Sequence, residues 1–340
     1  SASLTYRNYL ASLADLKDLA QAILTHIPQT PNFIDPMAED SKSTGNAQDM
    51  LLERTHDSLP LASTRVVFLH GNAGIGKTST LRELTRRQAT NYSLGSANTL
   101  FLYLDAQGKG LTQLEDVMAR ALQDLRARFT YHSVAALTRR RCVVPIVDGF
   151  DELIGPSSAR EAFANLSLFL AQLDRDGAII ASSRSSFIDY STLHEKAAEI
   201  AAGKDLSYQI HPIEVVKWTN EAVLRYADLR LGADGRAAIA PLLGSSVESL
   251  VCKPFYLSKI CDIVADGGSI NAEIDVTAQI IDAALIREAT KLRDSRGKQL
   301  LTPSQHREFC ELLAEEMWAQ GSSELDLASV RIIAELFSER

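Results

Sequence analysis

Cysteine is scarce in this sequence. Its four cysteines, Cys142, Cys252, Cys261 and Cys310, are scattered, and none forms a CxxC pair. That argues against a disulfide frame or a cysteine-built zinc site and fits reduced, mostly buried thiols. Long apolar runs are missing as well, since no uninterrupted stretch reaches membrane-spanning length. The opening residues, SASLTYRNYL, lack a basic region followed by an apolar one, so no secretory signal is expected and a cytoplasmic location is. Positive charge is in deficit: 35 Lys and Arg stand against 43 Asp and Glu, a net −8. This argues against a general electrostatic grip on nucleic acid, although a local basic face remains open. The densest basic run, Arg139-Arg140-Arg141, reads as a solvated helix end just before a strand. What the chain does have is 46% hydrophobic and 23% charged residues, enough to bury a real core. At about 150 residues per domain there is room for roughly two domains.

Leu4 to Ile27 carries apolar residues at helical spacing (Leu10, Leu13, Leu16, Leu19, Ala20, Ile23), and Pro28, Pro31 and Pro36 stop the helix. Asp40 to Asp49 has the composition of a mobile loop or linker. From Thr64 onward, short apolar runs alternate with longer amphipathic segments. The runs are residues 65–70, 99–106, 142–150, 177–184 and 205–213, each bounded by turn residues as buried parallel strands are. Helix-like segments lie between them near 78–89, 112–128, 157–174 and 191–202. The alternation predicts an α/β domain with a parallel sheet covered by helices on both faces. After about residue 214 only helical segments follow, near 215–230, 237–251, 255–266, 275–293, 303–319 and 326–338. No solenoid-like repeat is present.

Between the first of these strands and its helix lies Gly71-Asn72-Ala73-Gly74-Ile75-Gly76-Lys77-Thr78, which satisfies G-x-x-x-x-G-K-[ST]. The glycines let the backbone turn its N–H groups inward, and the following helix adds its positive dipole end to that anion nest. Lys77 then reaches the β- and γ-phosphates, and the Thr78 hydroxyl ligates Mg²⁺. A nucleoside triphosphate or diphosphate is the expected ligand. No Asn-Lys-x-Asp run is present to read guanine, so ATP or ADP is expected.

A second motif runs Val143 to Glu152, VVPIVDGFDE. An acid at the carboxyl end of a buried parallel strand faces the crevice where such sheets bind ligands. Asp148 is therefore expected to hold Mg²⁺, directly or through water. Asp151 or Glu152 polarises the attacking water, or the two simply cap the next segment. The third motif, Ala178 to Arg184, ends on an arginine just past another apolar strand, where its forked donors suit a γ-phosphate sensor.

Together GNAGIGKTS (71–79, ending on Ser79), the DGFDE run and the SSR ending resemble the NACHT group of STAND nucleotide switches, relatives of the AAA+ ATPases. The small Gly149 after the metal acid and the further acid three positions on carry most of that likeness. Lys253-Pro254-Phe255-Tyr256 is similar to the proline motif with which such proteins contact the base, although Pro254 equally suits the first position of a helix. The resemblance also implies that the segment before the P-loop lines the adenine pocket, with Phe33 and Ile34 in Pro31–Pro36 as the matching residues. It further implies a helical or winged-helix-like C-terminal region. The expected organisation is an N-terminal helix and linker (1–62), the NTPase domain (63–213), a helical domain (214–270) and that C-terminal region (271–340). Many STAND switches hold ADP with a winged-helix histidine; His306 is either that residue or a surface histidine. No sensor repeats follow, and the first 27 residues are short for an effector enzyme. The chain is thus expected to be the core of something longer, or to use its helical ends for those roles.

The function so implied is a slow signalling or defence ATPase, closed with ADP and open and self-associating with ATP, serving an unknown protein trigger or effector. The rival is an AAA+-like motor or loader acting on DNA or protein, for which Arg139–Arg141 would supply a finger in trans. A third reading, a scaffold that binds nucleotide without hydrolysis, is opposed by the paired acids.

Overall fold

The computed structural model describes residues 6–56, 64–106, 113–153, 166, 168–173, 176–185, 208–265, 267, 278–282, 285, 286, 301–321 and 325–338. Two compact units divide the chain: Ser1–Arg236 with Ser249–Leu257, and Ala237–Glu248 with Ser258–Arg340.

The first unit is built on a seven-stranded sheet: β1 (Met37–Glu39), β2 (Thr44–Asn46), β3 (Thr64–His70), β4 (Leu100–Asp105), β5 (Val143–Asp148), β6 (Ala178–Ser183) and β7 (Tyr208–Val215). Their order is β2-β1-β7-β3-β6-β5-β4. Strands β7, β3, β6, β5 and β4 run parallel, while β1 lies antiparallel to both β7 and β2. All residues of β3, β5 and β6 are buried, as strands covered on both faces must be. Pro145 lies inside β5, and the β5–β6 register, Ile146↔Ile180 and Val147↔Ala181, begins just after it because proline has no N–H to give the ladder.

Helices α1 (Tyr6–Leu13), α2 (Leu16–His26), α3 (Ala47–His56), α4 (Lys77–Ser93), α5 (Leu114–Asp124) and α6 (Tyr131–Arg139) belong to this unit. Helix α4 buries Leu81, Leu84, Thr85, Gln88 and Ala89, a stripe at the spacing of one helical face. The single helix expected over residues 4–27 is instead two. Asp15 adopts a left-handed conformation (φ 49°), which ends α1 and redirects the chain before Leu16, Leu19, Ala20 and Ile23 pack inward. Helix α6 was not expected; it ends at Arg139, so the arginine run does close a helix ahead of a strand.

The stretch read as a mobile loop around Asp40–Asp49 is ordered into β1, β2 and the start of α3. Turn chemistry explains the difference. Asp40 Oδ1 accepts from the Lys42 and Ser43 amides at 2.8 Å each, and its carboxylate meets the Arg54 guanidinium at 2.6 Å with both side chains nearly buried. Burial pushes this acid up, but the two amides and Arg54 more than compensate and hold it below the ordinary aspartate value.

Asp35 behaves in the opposite way. Burial pushes it up to about 6, with neighbouring Asp49 adding to the rise and the Gln48 amide and Arg87 opposing it. The folded chain therefore binds this proton more tightly than the unfolded chain. Its contribution to stability is greatest below the unfolded value near 4 and falls as pH rises to about 6. Asp35→Asn is expected to gain roughly 1 kcal/mol over the parent at pH 8, after discounting for partial solvent access, and nothing at pH 3.5. Thermal melts of both proteins across that range check the sign.

Beyond β7 the described residues are helical, as expected. Helices α7 (Asn220–Leu231), α8 (Ala233–Ile239), α9 (Glu248–Val251), α10 (Pro254–Ala265), α11 (Pro303–Gln320) and α12 (Leu327–Ser338) follow. Thr302 and Gln305 form a reciprocal capping box at the start of α11. The expected helix near 191–202, and most of those near 157–174 and 275–293, lie outside the described residues. Among the described residues no helix is long and apolar enough to cross a membrane.

Candidate functional site

The turn from β3 into α4 has the backbone that an anion nest requires. Gly74 and Gly76 hold φ values of 76° and 103°, in the left-handed region that a side chain disfavours. Gly76 is the N-cap of α4 and brings no side-chain bond to the helix start, so the helix opens toward the turn. Ile75 is buried beneath the turn, its amide donating to the Asn72 carbonyl at 3.4 Å, while Asn72 and Ala73 are exposed. Lys77 Nζ donates to the carbonyls of Gly71 (2.6 Å) and Asn72 (3.2 Å). Thr78 and Ser79 are half-buried in the first turn of α4.

The sheet order decides what faces this turn. Strand β6 lies between β3 and β5, so the turn, Arg184 and Asp148 stand at the carboxyl ends of three adjacent strands. Asp148 is fully buried. Its Oδ1 accepts from the Ser182 hydroxyl at 2.5 Å and its Oδ2 from the Tyr103 hydroxyl at 2.7 Å. Asp151, in the 3-10 turn Phe150–Leu153, pairs with Arg184 at 3.4 Å. Burial lowers the Lys77 ammonium from its ordinary value, with Asp151 and Asp148 opposing and Arg184 reinforcing that shift. Lys77, Asp148, Asp151 and Arg184 therefore share one electrostatic neighbourhood. Glu152 belongs to the same 3-10 turn, but its side chain lies outside the described residues.

Pro254 is the first residue of α10, and it also lies against the turn: a Cβ built on Gly76 would stand 3.6 Å from Pro254 Cγ. The Phe255 amide donates to the Gly74 carbonyl at 3.1 Å, and a Cβ on Gly74 would meet Phe255 Cβ at 3.0 Å. Phe255 belongs to the quoted Lys253–Tyr256 motif, and its backbone contact is with the phosphate turn. Phe33 and Ile34 are half-buried in the segment between α2 and β1. That segment is tied to α4 where the Thr30 amide donates to Glu83 at 2.5 Å. Tyr103 and Ser182 were also missed, since a hydroxyl in an apolar strand acquires meaning only once the strand order is known. His70, which ends β3, is buried; burial lowers it, Glu214 opposes and Lys77 reinforces. His306 is half-buried in α11, in the second unit.

Among the described residues no group of three or more His, Cys, Asp and Glu side chains is arranged to hold a metal ion. Mg²⁺ takes one or two protein oxygens and completes its shell with phosphates and water. The Thr78 hydroxyl and the Asp148 carboxylate are hard oxygen donors of that kind.

A buried strand, a glycine turn with a lysine, a helix starting on that turn and an acid two strands away define a P-loop NTPase. Residues 65–207 match the family model of the NACHT domain. This part of the chain is a NACHT-type P-loop NTPase domain, an α/β fold followed by a helical C-terminal region. Among curated proteins, none matches the chain. Among solved structures, it is similar to the Aeropyrum pernix ORC2 protein in its ADPNP-ADP complexes, at 11% identity and a TM-score of 0.41, over 86% of this chain and 83% of that one. It is also similar to the Walker-type ATPase PABY2304 of Pyrococcus abyssi, at 12% identity and a TM-score of 0.47, over 85% and 87% of the two chains.

Proposed function

We propose that this protein is an ATP-binding, slowly hydrolysing switch of the NACHT type, with ADP in its closed state and ATP in an open state that self-associates. The observation that carries the reading is the convergence of Lys77, Asp148, Asp151 and Arg184 at the carboxyl ends of adjacent strands. Lys77 holds the β- and γ-phosphates, with the amides of residues 71–79 around them. Thr78 and Asp148 hold Mg²⁺, which neutralises phosphate charge when bound. Asp151 or Glu152 orients the attacking water. Arg184 leaves Asp151 for the γ-phosphate, a contact that only the triphosphate state can make. Phe33, Ile34 and Pro254 bound the base.

The NTPase domain is assigned to 63–213, the helical domain to 214–270 and the helical or winged-helix-like region to 271–340, with 1–62 ahead of them. The Phe255–Gly74 bond joins the start of α10 to the phosphate turn, so a change in the turn reaches that helix directly. Buried Cys142, Cys252 and Cys261 suit a reducing cytoplasm, and a signalling or defence role with a protein trigger or effector follows from the family likeness. The motor reading lacks a matching observation. Arg140 stacks over the Tyr6 ring at 5.3 Å and Arg141 pairs with Asp176 at 3.3 Å, so these finger candidates are engaged within their own chain.

Sedimentation with ADP and with a non-hydrolysable ATP analogue tests the proposal. The ADP form is expected to run as a smaller species than the analogue form, with steady-state turnover unchanged by DNA. A single species in both nucleotides together with strong stimulation by DNA would replace the switch with a motor.

A further inference from the structure

If Asp148 holds magnesium, something must aim its carboxylate, because the side chain has no exposed surface. Two hydroxyls reach it, Ser182 Oγ on Oδ1 and Tyr103 Oη on Oδ2. The direction of each bond is imposed from behind. The Gly149 amide donates to Ser182 Oγ at 3.0 Å, and Arg82 Nε donates to Tyr103 Oη at 3.1 Å. Neither N–H group can accept a hydrogen bond, so the single proton of each hydroxyl is committed to Asp148. Such chains polarise one another, and each strengthens the bond it ends in.

Arg82 also stacks over the Tyr103 ring, 5.5 Å from its centroid. Arg82 lies on α4, the helix that begins at Lys77, so the chain runs from the phosphate-turn helix across β4 to the acid at the end of β5. We infer that Tyr103, oriented by Arg82, is a positioning residue for the Asp148 carboxylate and sets the affinity of the nucleotide site for Mg²⁺. The inference rests on the reading of Asp148 as a magnesium ligand.

The test is a titration of the full chain with a fluorescent ADP analogue, first in chelator and then across a range of Mg²⁺. In Tyr103→Phe the half-saturating Mg²⁺ concentration is expected to rise roughly tenfold or more, the usual effect of removing a partner behind a metal ligand. Affinity in chelator stays near that of the parent, an outcome that a merely collapsed site would not give. Arg82→Met shifts Mg²⁺ in the same direction by less. The double variant is no worse than Tyr103→Phe alone, because Arg82 acts through Tyr103. Ser182→Ala, which loses the other oxygen's partner, raises the Mg²⁺ requirement too and serves if Tyr103→Phe does not fold. An unchanged Mg²⁺ midpoint in Tyr103→Phe overturns the inference, as do additive effects of Tyr103 and Arg82. A parent protein that binds the nucleotide with no response to Mg²⁺ instead removes the reading of Asp148 beneath it.

Discussion

Lys77→Ala is expected to weaken ATP and ADP binding about a hundredfold or more. In the structure the Lys77 ammonium is half-buried and bonded to loop carbonyls, those of Gly71 and Asn72. A cation taken from water and aimed by its own turn is ready to exchange those neutral acceptors for phosphate oxygens. Charge-assisted bonds of that kind contribute roughly 1.5–3 kcal/mol each, and bridging two phosphates involves two of them. The fold loses little, since the side chain fills no core position. A titration of the folded variant with ADP checks the prediction, and unchanged affinity would remove the turn from nucleotide binding.

The second large effect is on turnover. Asp151→Asn is expected to lower phosphate release by roughly 10²–10⁴-fold while ADP affinity holds, the range that a positioned general base supplies. Asparagine keeps the shape but loses the proton acceptor. It also loses the ion pair to Arg184, whose side chain is 62% exposed, so stability changes little. Glu152→Gln is the companion measurement. Full release from Asp151→Asn with loss in Glu152→Gln would move the role by one residue, and full release from both would remove each from the chemistry.

The parts of this molecule that sequence reveals are those fixed by local chemistry. Buried parallel strands need apolar residues at nearly every position, so β3, β4, β5 and β6 stand out within a residue or two of their ends. The phosphate turn stands out because Gly74 and Gly76 sit between such a strand and an amphipathic helix. Sheet order is a different kind of information. Nothing local states that β6 inserts between β3 and β5, yet that insertion brings Ser182 to Asp148 and Arg184 to Asp151. Tyr103 is invisible for the same reason, as an aromatic in an apolar strand with a hydroxyl whose partner lies on the neighbouring strand. Strands β1 and β2 are three residues each, and β2, at the sheet's edge, is Thr-Gly-Asn, so the pairing of β1 with β7 and the buried Asp40–Arg54 contact had to outweigh a loop-like composition. The apolar run places the end of β7 two residues early, at Ile213, because Glu214 breaks it although the backbone continues to pair through Val215.

The most direct test of the account is to denature freshly purified protein and identify the nucleotide it releases by chromatography. Stoichiometric ADP is the predicted result, the mark of a closed switch that exchanges slowly. An empty site combined with rapid ATP turnover would contradict the switch, and a released guanine nucleotide would contradict the adenine assignment while leaving the phosphate turn in place.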